Sequence, residues 1–342
     1  MARIPVVQVM APQSASRLLD DQTRARLAAI ADVDLDLVVP DWAAAAEPAV
    51  AAALARAEVL LTCWGAPTID ADVLTAMPRM RAVVHAAGSV KNLITDACWD
   101  RGIAVSTCAD ANALPVAEFT VAMIVLAAKR VFAVRDDMRS PAGRAGQRWD
   151  FGRADPATGT YRTVVGLIGA SRVGRATARL LQSLDVQVLL ADPTITADDA
   201  TALGAELVEL DELMARSRIV SMHAPNIPAT RHLVNAQRLA LMHDGATLIN
   251  TSRGALLDHD ALLAETRSGR LWAILDVTDP EPLPADSGFY DLPNVVLTPH
   301  VAGSIGSEVF RMGAMAVAEI ERLAGGQPLR HEVTRAQFPT QA

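Results

Sequence analysis

The stretch 163–192, TVVGLIGASRVGRATARLLQSLDVQVLLAD, restricts this chain more than any other, because it dictates strand, tight turn, helix and strand in that order. Val164, Val165, Leu167 and Ile168 form a short apolar run rich in β-branched residues, as in a parallel strand covered on both faces. Gly169 ends it. Over residues 172–184 the apolar positions Val173, Ala176, Leu180, Leu181 and Leu184 recur at three- and four-residue steps, the stripe of an amphipathic helix. Residues 186–191 read as a second buried strand, with Asp192 at its carboxyl end. In a βαβ unit of this kind a pyrophosphate rests on unpaired N–H groups at the helix N-terminus, and the acid after the second strand holds ribose hydroxyls. Gly169, Ser171, Gly174 and Asp192 are therefore candidate nucleotide contacts. One place departs from the G-x-G-x-x-G pattern: Ser171 stands where the second glycine is usual, at some cost in clearance.

The rest of the chain limits what such a unit can serve. Its 342 residues are enough for about two domains with cores of their own, and 51% hydrophobic with 20% charged residues is a globular composition. No apolar run reaches the roughly 18 residues of a membrane span, and the first residues lack the pattern of a secretory signal. Three cysteines, Cys63, Cys98 and Cys108, without C-x-x-C spacing, point to a reducing compartment, hence the cytoplasm, and to no metal site. A net charge of −8 disfavours nucleic acid and anionic membrane as partners.

Before the nucleotide unit, residues 4–10, 34–39, 59–63, 82–87 and 103–107 read as strands, with helices near 16–31, 49–56 and 93–101. This alternation predicts a parallel sheet with helices on both faces. Residues 112–135 read as one long apolar helix, suited to burial between layers or to a subunit contact. Residues 140–159 read as a surface loop. After Asp192, strands are predicted at 219–222, 246–250, 272–276 and 295–298, with helices near 211–216, 236–242 and 258–267. A final helix, 308–323, is long enough to return the chain to the first domain.

Ligands of open parallel sheets lie outside the carboxyl ends of the strands, so the polar tails there are where chemistry is sought. Arg253 follows one strand, and its planar fork matches a carboxylate or 2-oxo acid, although an arginine there also serves to cap carbonyls. His300 follows another, and an unperturbed imidazole has its pKa near neutrality, as proton transfer requires. Its case depends on Glu281, because a buried carboxylate beside an imidazole favours the imidazolium and fixes its tautomer. Taken alone, Glu281 reads as a solvated loop acid. His85, His223, His232, His243, His259 and His331 show no metal-ligand spacing and read as structural or surface residues.

The arrangement resembles the D-isomer-specific 2-hydroxyacid dehydrogenase family, over roughly residues 81–325. The matching pieces are HAAGSVKN at 85–92, NALPVAEFT at 112–120, GASRVG at 169–174, HAPNIPATRHLVN at 223–235, NTSRGALLDHDAL at 250–262, LDVTDPEP at 275–282 and TPHVAG at 298–303. The resemblance implies two doubly wound α/β domains, a Rossmann NAD-binding domain (111–304) inserted into a flavodoxin-like substrate domain (1–110 plus 305–342). It also implies a catalytic set of Arg253, Glu281 and His300. Further cofactor contacts would be Arg172, Val173, Ala224, Pro225, Thr251, Asp276 and Gly303. The backbone at Gly88, Ser89 and Val90 would receive the substrate carboxylate. Departures are Ser171, Phe119 where histidine is common, Thr278 where an aromatic is common, and Asn226 where leucine is common.

The reaction so implied is NAD-dependent interconversion of a 2-oxo acid and a D-2-hydroxy acid, in a protein that pairs as a homodimer. Two other readings use the same fold: a nicotinamide-responsive binding protein of the co-repressor type, and phosphite or formate oxidation. The sequence shows no basic segment or long disordered tail for the first, and Glu281 stands where formate oxidation calls for glutamine.

Overall fold

The central strands are near-continuous apolar runs whose successive side chains point to opposite faces, so both faces of each sheet are buried, and this decides the architecture. The computed structural model describes residues 3–146 and 158–340. The chain divides into two units: unit 1, Met1–Asn112 with Ser304–Ala342, and unit 2, Ala113–Gly303. Among the described residues each unit is built on one sheet whose strands pair in parallel.

In unit 1 the strands are β1 (Ile4–Val9), β2 (Ala31–Asp32), β3 (Val38–Val39), β4 (Val59–Thr62), β5 (Ala82–His85) and β6 (Ala104–Thr107). Their order is β2-β1-β4-β5-β6, with β3 beside β1, the order of a flavodoxin-like sheet. Val6, Leu61 and Val84 enter one core with Val317 and Ile320, whereas their neighbours Val7, Leu60 and Val83 enter another with Leu54 and Leu74. That is the period-two alternation of a sheet covered twice. The last helix, Val309–Ala324, packs into the first of these cores. A Cβ at Gly313 would lie 2.1 Å from the Leu18 carbonyl oxygen, so the helix approaches as closely as glycine allows. Arg26 clamps Glu321 with two bonds of 2.9 and 2.8 Å.

Unit 2 contains β7 (Thr163–Ile168), β8 (Val186–Ala191), β9 (Glu206–Leu207), β10 (Ile219–Met222), β11 (Thr247–Asn250), β12 (Trp272–Leu275) and β13 (Val295–Leu297). The order β13-β12-β11-β10-β7-β8-β9 reverses direction between β7 and β10, the switch point of a Rossmann sheet. Val220, Leu248 and Leu275 face one core, and Ile219, Ile249 and Ile274 the other.

Several sequence expectations are corrected. The strand expected at 34–39 pairs only at Val38–Val39, because Asp34 turns the chain by accepting from the Asp36 N–H at 3.0 Å. The helix expected at 16–31 is two, Pro12–Leu18 and Asp21–Ile30, since the Asp20 side chain caps a new helix by accepting from Thr23 N. The helix expected at 112–135 runs over Ala109–Ala128 and restarts at Val131–Arg139. Arg130 breaks it with a left-handed φ of 54°, its guanidinium bonded to the Gly245 carbonyl and stacked on Trp272.

Ala109–Ala128 is long and apolar enough, by length and composition, to cross a membrane, although Asp110, Asn112, Glu118 and Thr120 interrupt it and no unbroken apolar run of that length occurs; half of its most apolar stretch is buried. Of the loop expected at 140–159, residues 141–144 form one helical turn capped by Ser140. Residues 147–157 lie outside the described residues. The strand β9 and the helix Ala197–Ala202 before it carried too few apolar residues to be read from sequence.

Candidate active site

The glycine turn is built from unit 2's switch point. Gly169 leaves β7 with φ 101°, and a Cβ there would lie 2.6 Å from the Ala224 nitrogen, just beyond β10. A Cβ on Gly174 would lie 2.0 Å from the Gly169 carbonyl oxygen. Both positions thus require glycine, for conformation at the first and for clearance at both.

Ser171 has φ −62°, which any residue adopts, and acts as N-cap of the helix Arg172–Leu181. Its Oγ accepts from Gly174 N at 3.3 Å, engaging one of the N–H groups at the helix start. Asp192, after β8, reaches the same turn: its Oδ2 accepts from Ala170 N at 2.6 Å and its Oδ1 from Thr194 N at 2.8 Å. Gly169, Ser171, Arg172, Val173, Gly174, Asp192, Ala224 and Pro225 therefore follow the carboxyl ends of three adjoining strands, β8, β7 and β10. An adenine dinucleotide fits this turn because Gly174, without a Cβ, lets the start of the helix pack directly on the Gly169 carbonyl and so brings the helix N–H groups up to the turn.

The side chains that the resemblance implies as catalytic follow β11, β12 and β13. After β11, the Asn250 side chain closes a turn by donating to the Arg253 carbonyl and accepting from Ser252 N, both at 3.0 Å. Ser252 Oγ donates to the Ala224 carbonyl at 2.9 Å, and Thr251 Oγ1 lies 2.9 Å from Thr120 Oγ1. Arg253 emerges half-buried. Burial works against its charge, and the Glu281 carboxylate works for it.

After β12 comes Asp276, buried at 2% exposure. Its Oδ1 accepts from Thr298 Oγ1 at 2.6 Å and Val301 N at 2.8 Å, and its Oδ2 from Ala302 N at 3.0 Å. The carboxylate read from the resemblance as a cofactor contact thus also fastens the segment that carries His300, whose own N–H donates to the Asp276 carbonyl at 2.9 Å. No spacing in the sequence signals that role.

His300 takes φ 56°, and its Nδ1 lies 2.8 Å from Glu281 Oε1. The sequence expected this carboxylate to be buried. Within the chain the side chains are 50% and 40% exposed, because both stand on loops outside the sheet. With Nδ1 turned to Glu281, Nε2 is the ring nitrogen left for a substrate.

Gly88, Ser89 and Val90 lie in unit 1, after β5. The Val90 side chain is in the core, and its carbonyl accepts from Leu93 and Ile94 N–H groups, whereas Gly88 and Ser89 are half-buried and the Ser89 hydroxyl accepts from Lys91 N at 3.4 Å. Just before them, His85 is buried with its Nδ1 2.9 Å from Thr62 Oγ1, and burial lowers its pKa to about 4. It is a neutral core histidine. His223 in unit 2 is likewise buried, with Nε2 3.0 Å from Ser221 Oγ and a pKa lowered to about 3.

Residues 121–302 match the family described as D-isomer specific 2-hydroxyacid dehydrogenase, NAD binding domain. The chain is 33% identical over 274 residues to the D-3-phosphoglycerate dehydrogenase of Mycobacterium leprae, covering 80% of this chain and 50% of that one. It is 34% identical over 259 residues to the (S)-sulfolactate dehydrogenase of Chromohalobacter salexigens, covering 75% and 82%. The chain thus spans about half the length of the phosphoglycerate dehydrogenases it matches. Among solved structures, the D-lactate dehydrogenase of Aquifex aeolicus, complexed with NAD and lactic acid, superposes with a TM-score of 0.68 at 25% identity, covering 94% of this chain and 96% of that one.

Proposed function

This chain belongs to the D-isomer specific 2-hydroxyacid dehydrogenase family, and from that premise we propose that it interconverts a small 2-oxo acid and the corresponding D-2-hydroxy acid with NAD. The observation that carries the proposal is the grouping in unit 2 of Arg253, Glu281 and His300 after three adjacent strands, with the His300–Glu281 contact at 2.8 Å. A bound nicotinamide supplies the hydride to the substrate's C2, or takes it in the reverse direction. Arg253 holds the carboxylate and polarises the carbonyl through its planar fork. In reduction, the Nε2–H of His300 gives its proton to the carbonyl oxygen as it becomes a hydroxyl. Nδ1–H remains on Glu281 throughout, so the ring ends neutral and correctly oriented for the reverse step. Gly88, Ser89 and Val90 are the proposed backbone contacts of the substrate carboxylate.

Asp192 supports NAD over NADP, since a carboxylate accepts from both ribose hydroxyls and repels a 2′-phosphate. The cofactor contacts proposed with it are Gly169, Ser171, Arg172, Val173, Gly174, Ala224, Pro225, Thr251, Asp276 and Gly303. The three free, buried thiols support a reducing, cytoplasmic setting. The apolar helix Ala109–Ala128 supports a homodimer, which light scattering at micromolar concentration checks: a mass near 36.2 kDa would refute it.

The deciding experiment follows NADH and NADPH oxidation against glyoxylate, pyruvate, hydroxypyruvate, phenylpyruvate and branched 2-oxo acids. NADH is expected to be consumed with at least one of them, and more efficiently than NADPH. Failure with all would overturn the dehydrogenase reading, and equal efficiencies would overturn the role of Asp192.

A further inference from the structure

Glu281 sits on the loop that follows β12, beyond the buried Val277, and what fixes that loop fixes the catalytic pair. Three attachments are local. A Cβ at Gly254 would lie 2.0 Å from the Thr278 carbonyl carbon and 2.5 Å from Asp279 N, so the segment carrying Arg253 lies directly against the one carrying Glu281. Thr278 Oγ1 donates to the Pro280 carbonyl at 2.8 Å. The Asp279 N–H donates to Nε2 of His259 at 3.4 Å.

The third attachment depends on protonation. His259 begins the helix His259–Arg267, half-buried, with its ring edge-on to Phe289 at 6.1 Å between centroids. Its Nδ1 lies 3.1 Å from the Leu257 carbonyl. A carbonyl can only accept, so Nδ1 carries the proton and Nε2 presents its lone pair to Asp279 N–H. A second proton on the ring would place a donor against a donor and abolish the contact.

The titratable neighbours are the carboxylates of Asp258 and Asp279, which favour the charged ring, and His232, which opposes it. Arg231 pairs with Asp279 at 3.6 Å. Burial is the largest influence, and it favours the neutral ring that the latch requires.

We propose that His259 is a positioning residue for the catalytic pair: as the neutral Nδ1–H tautomer it holds Asp279, and thereby Glu281 two residues on, in register with His300, and protonation of its ring releases the loop. The reaction thus carries an acid-side switch separate from the proton donor. The inference rests on the dehydrogenase reading for its catalytic consequence, but the latch itself is a property of the fold.

Two measurements test it. In amide NMR spectra of the wild-type protein titrated from pH 8 to 5, the Asp279 amide should move in step with the His259 ring, at pH values below the ordinary imidazole value of about 6.5. In the pH profile of reductive kcat/KM, wild type should lose activity over the same range. His259→Gln, whose side-chain oxygen accepts from Asp279 N–H whatever the pH, should keep that activity, remaining within about twofold of wild type at neutral pH. His259→Ala should be about tenfold below wild type at neutral pH and meet it once the wild-type ring is protonated, with no step of its own at the His259 titration.

Coincident acid limbs in wild type and His259→Gln would overturn the proposal, as would an Asp279 amide that ignores the ring. The amide measurement needs no turnover. If no 2-oxo acid were reduced while Asp279 still tracked His259, the dehydrogenase reading would fall and the latch would stand. Normal reduction with an unresponsive Asp279 would remove the latch alone.

Discussion

Among the described residues, Arg253 makes one side-chain hydrogen bond, from Nη1 to the Ser252 carbonyl at 2.7 Å, and a guanidinium has further N–H donors with which to meet an anion. Lysine would retain the charge and lose the two-pronged contact. Arg253→Lys is expected to bind NADH normally by fluorescence titration, while reduction falls on the order of a hundredfold or more, as for loss of a transition-state charge contact. Near-normal turnover would place the anchor elsewhere. Glu281→Gln tests the neighbouring pair, since the amide keeps the size of the side chain but not the charge that faces His300 Nδ1. Reductive efficiency should drop by about ten- to a hundredfold with cofactor affinity unchanged, and an unaffected enzyme would make Glu281 the solvated loop acid that its exposure alone suggests.

At the scale of an element, the glycine turn and its helix show how one departure from a pattern is absorbed. Ser171 caps the helix Arg172–Leu181 through Gly174 N, so the serine supports the helix start while engaging an N–H that a phosphate would use. Ser171→Gly is expected to tighten NADH binding by about two- to fivefold, since it frees that donor and adds clearance, at a stability cost of only a few tenths of a kcal/mol. Weaker binding in titration calorimetry would show instead that the hydroxyl contributes to the phosphate site. Gly174→Ala should abolish binding altogether, since its Cβ would lie 2.0 Å from the Gly169 carbonyl oxygen.

Across the whole molecule, each unit holds a buried histidine whose burial disfavours its charged form, and together they are expected to make the fold acid-labile. His85 in unit 1 and His223 in unit 2 have folded pKa values lowered to about 4 and about 3, from an ordinary 6.5. The unfolded chain takes up protons there before the folded chain does, so stability is full above pH 6.5 and declines as pH falls towards those values. At about 1.4 kcal/mol per pH unit, each histidine accounts for a loss on the order of 3 kcal/mol by pH 4. Urea midpoints measured between pH 7.5 and 4.5 should fall steadily below pH 6.5, with a shallower slope in His223→Asn for the transition of unit 2. Flat midpoints over that range would contradict the burial of both rings.

The nucleotide unit was legible because its information is local. Two apolar runs, glycines at fixed offsets, an amphipathic stripe and a terminal acid each report on the backbone that carries them, and together they specify β7, the turn, the helix and β8. Arg253, Glu281 and His300 could be named because each stands just after an apolar run in a recurring motif. Helix ends were harder to read: Asp20 and Arg130 interrupt their helices through a side-chain cap and a left-handed backbone, which apolar periodicity does not register. Only the tertiary structure decided the rest. Asp276 fastens the His300 segment across more than twenty residues of sequence, Gly254 admits the Thr278 carbonyl, and His259 meets Asp279 across a loop. Hydrogen-bond geometry and close packing depend on where separate segments are brought together, and no period or spacing along the chain encodes that.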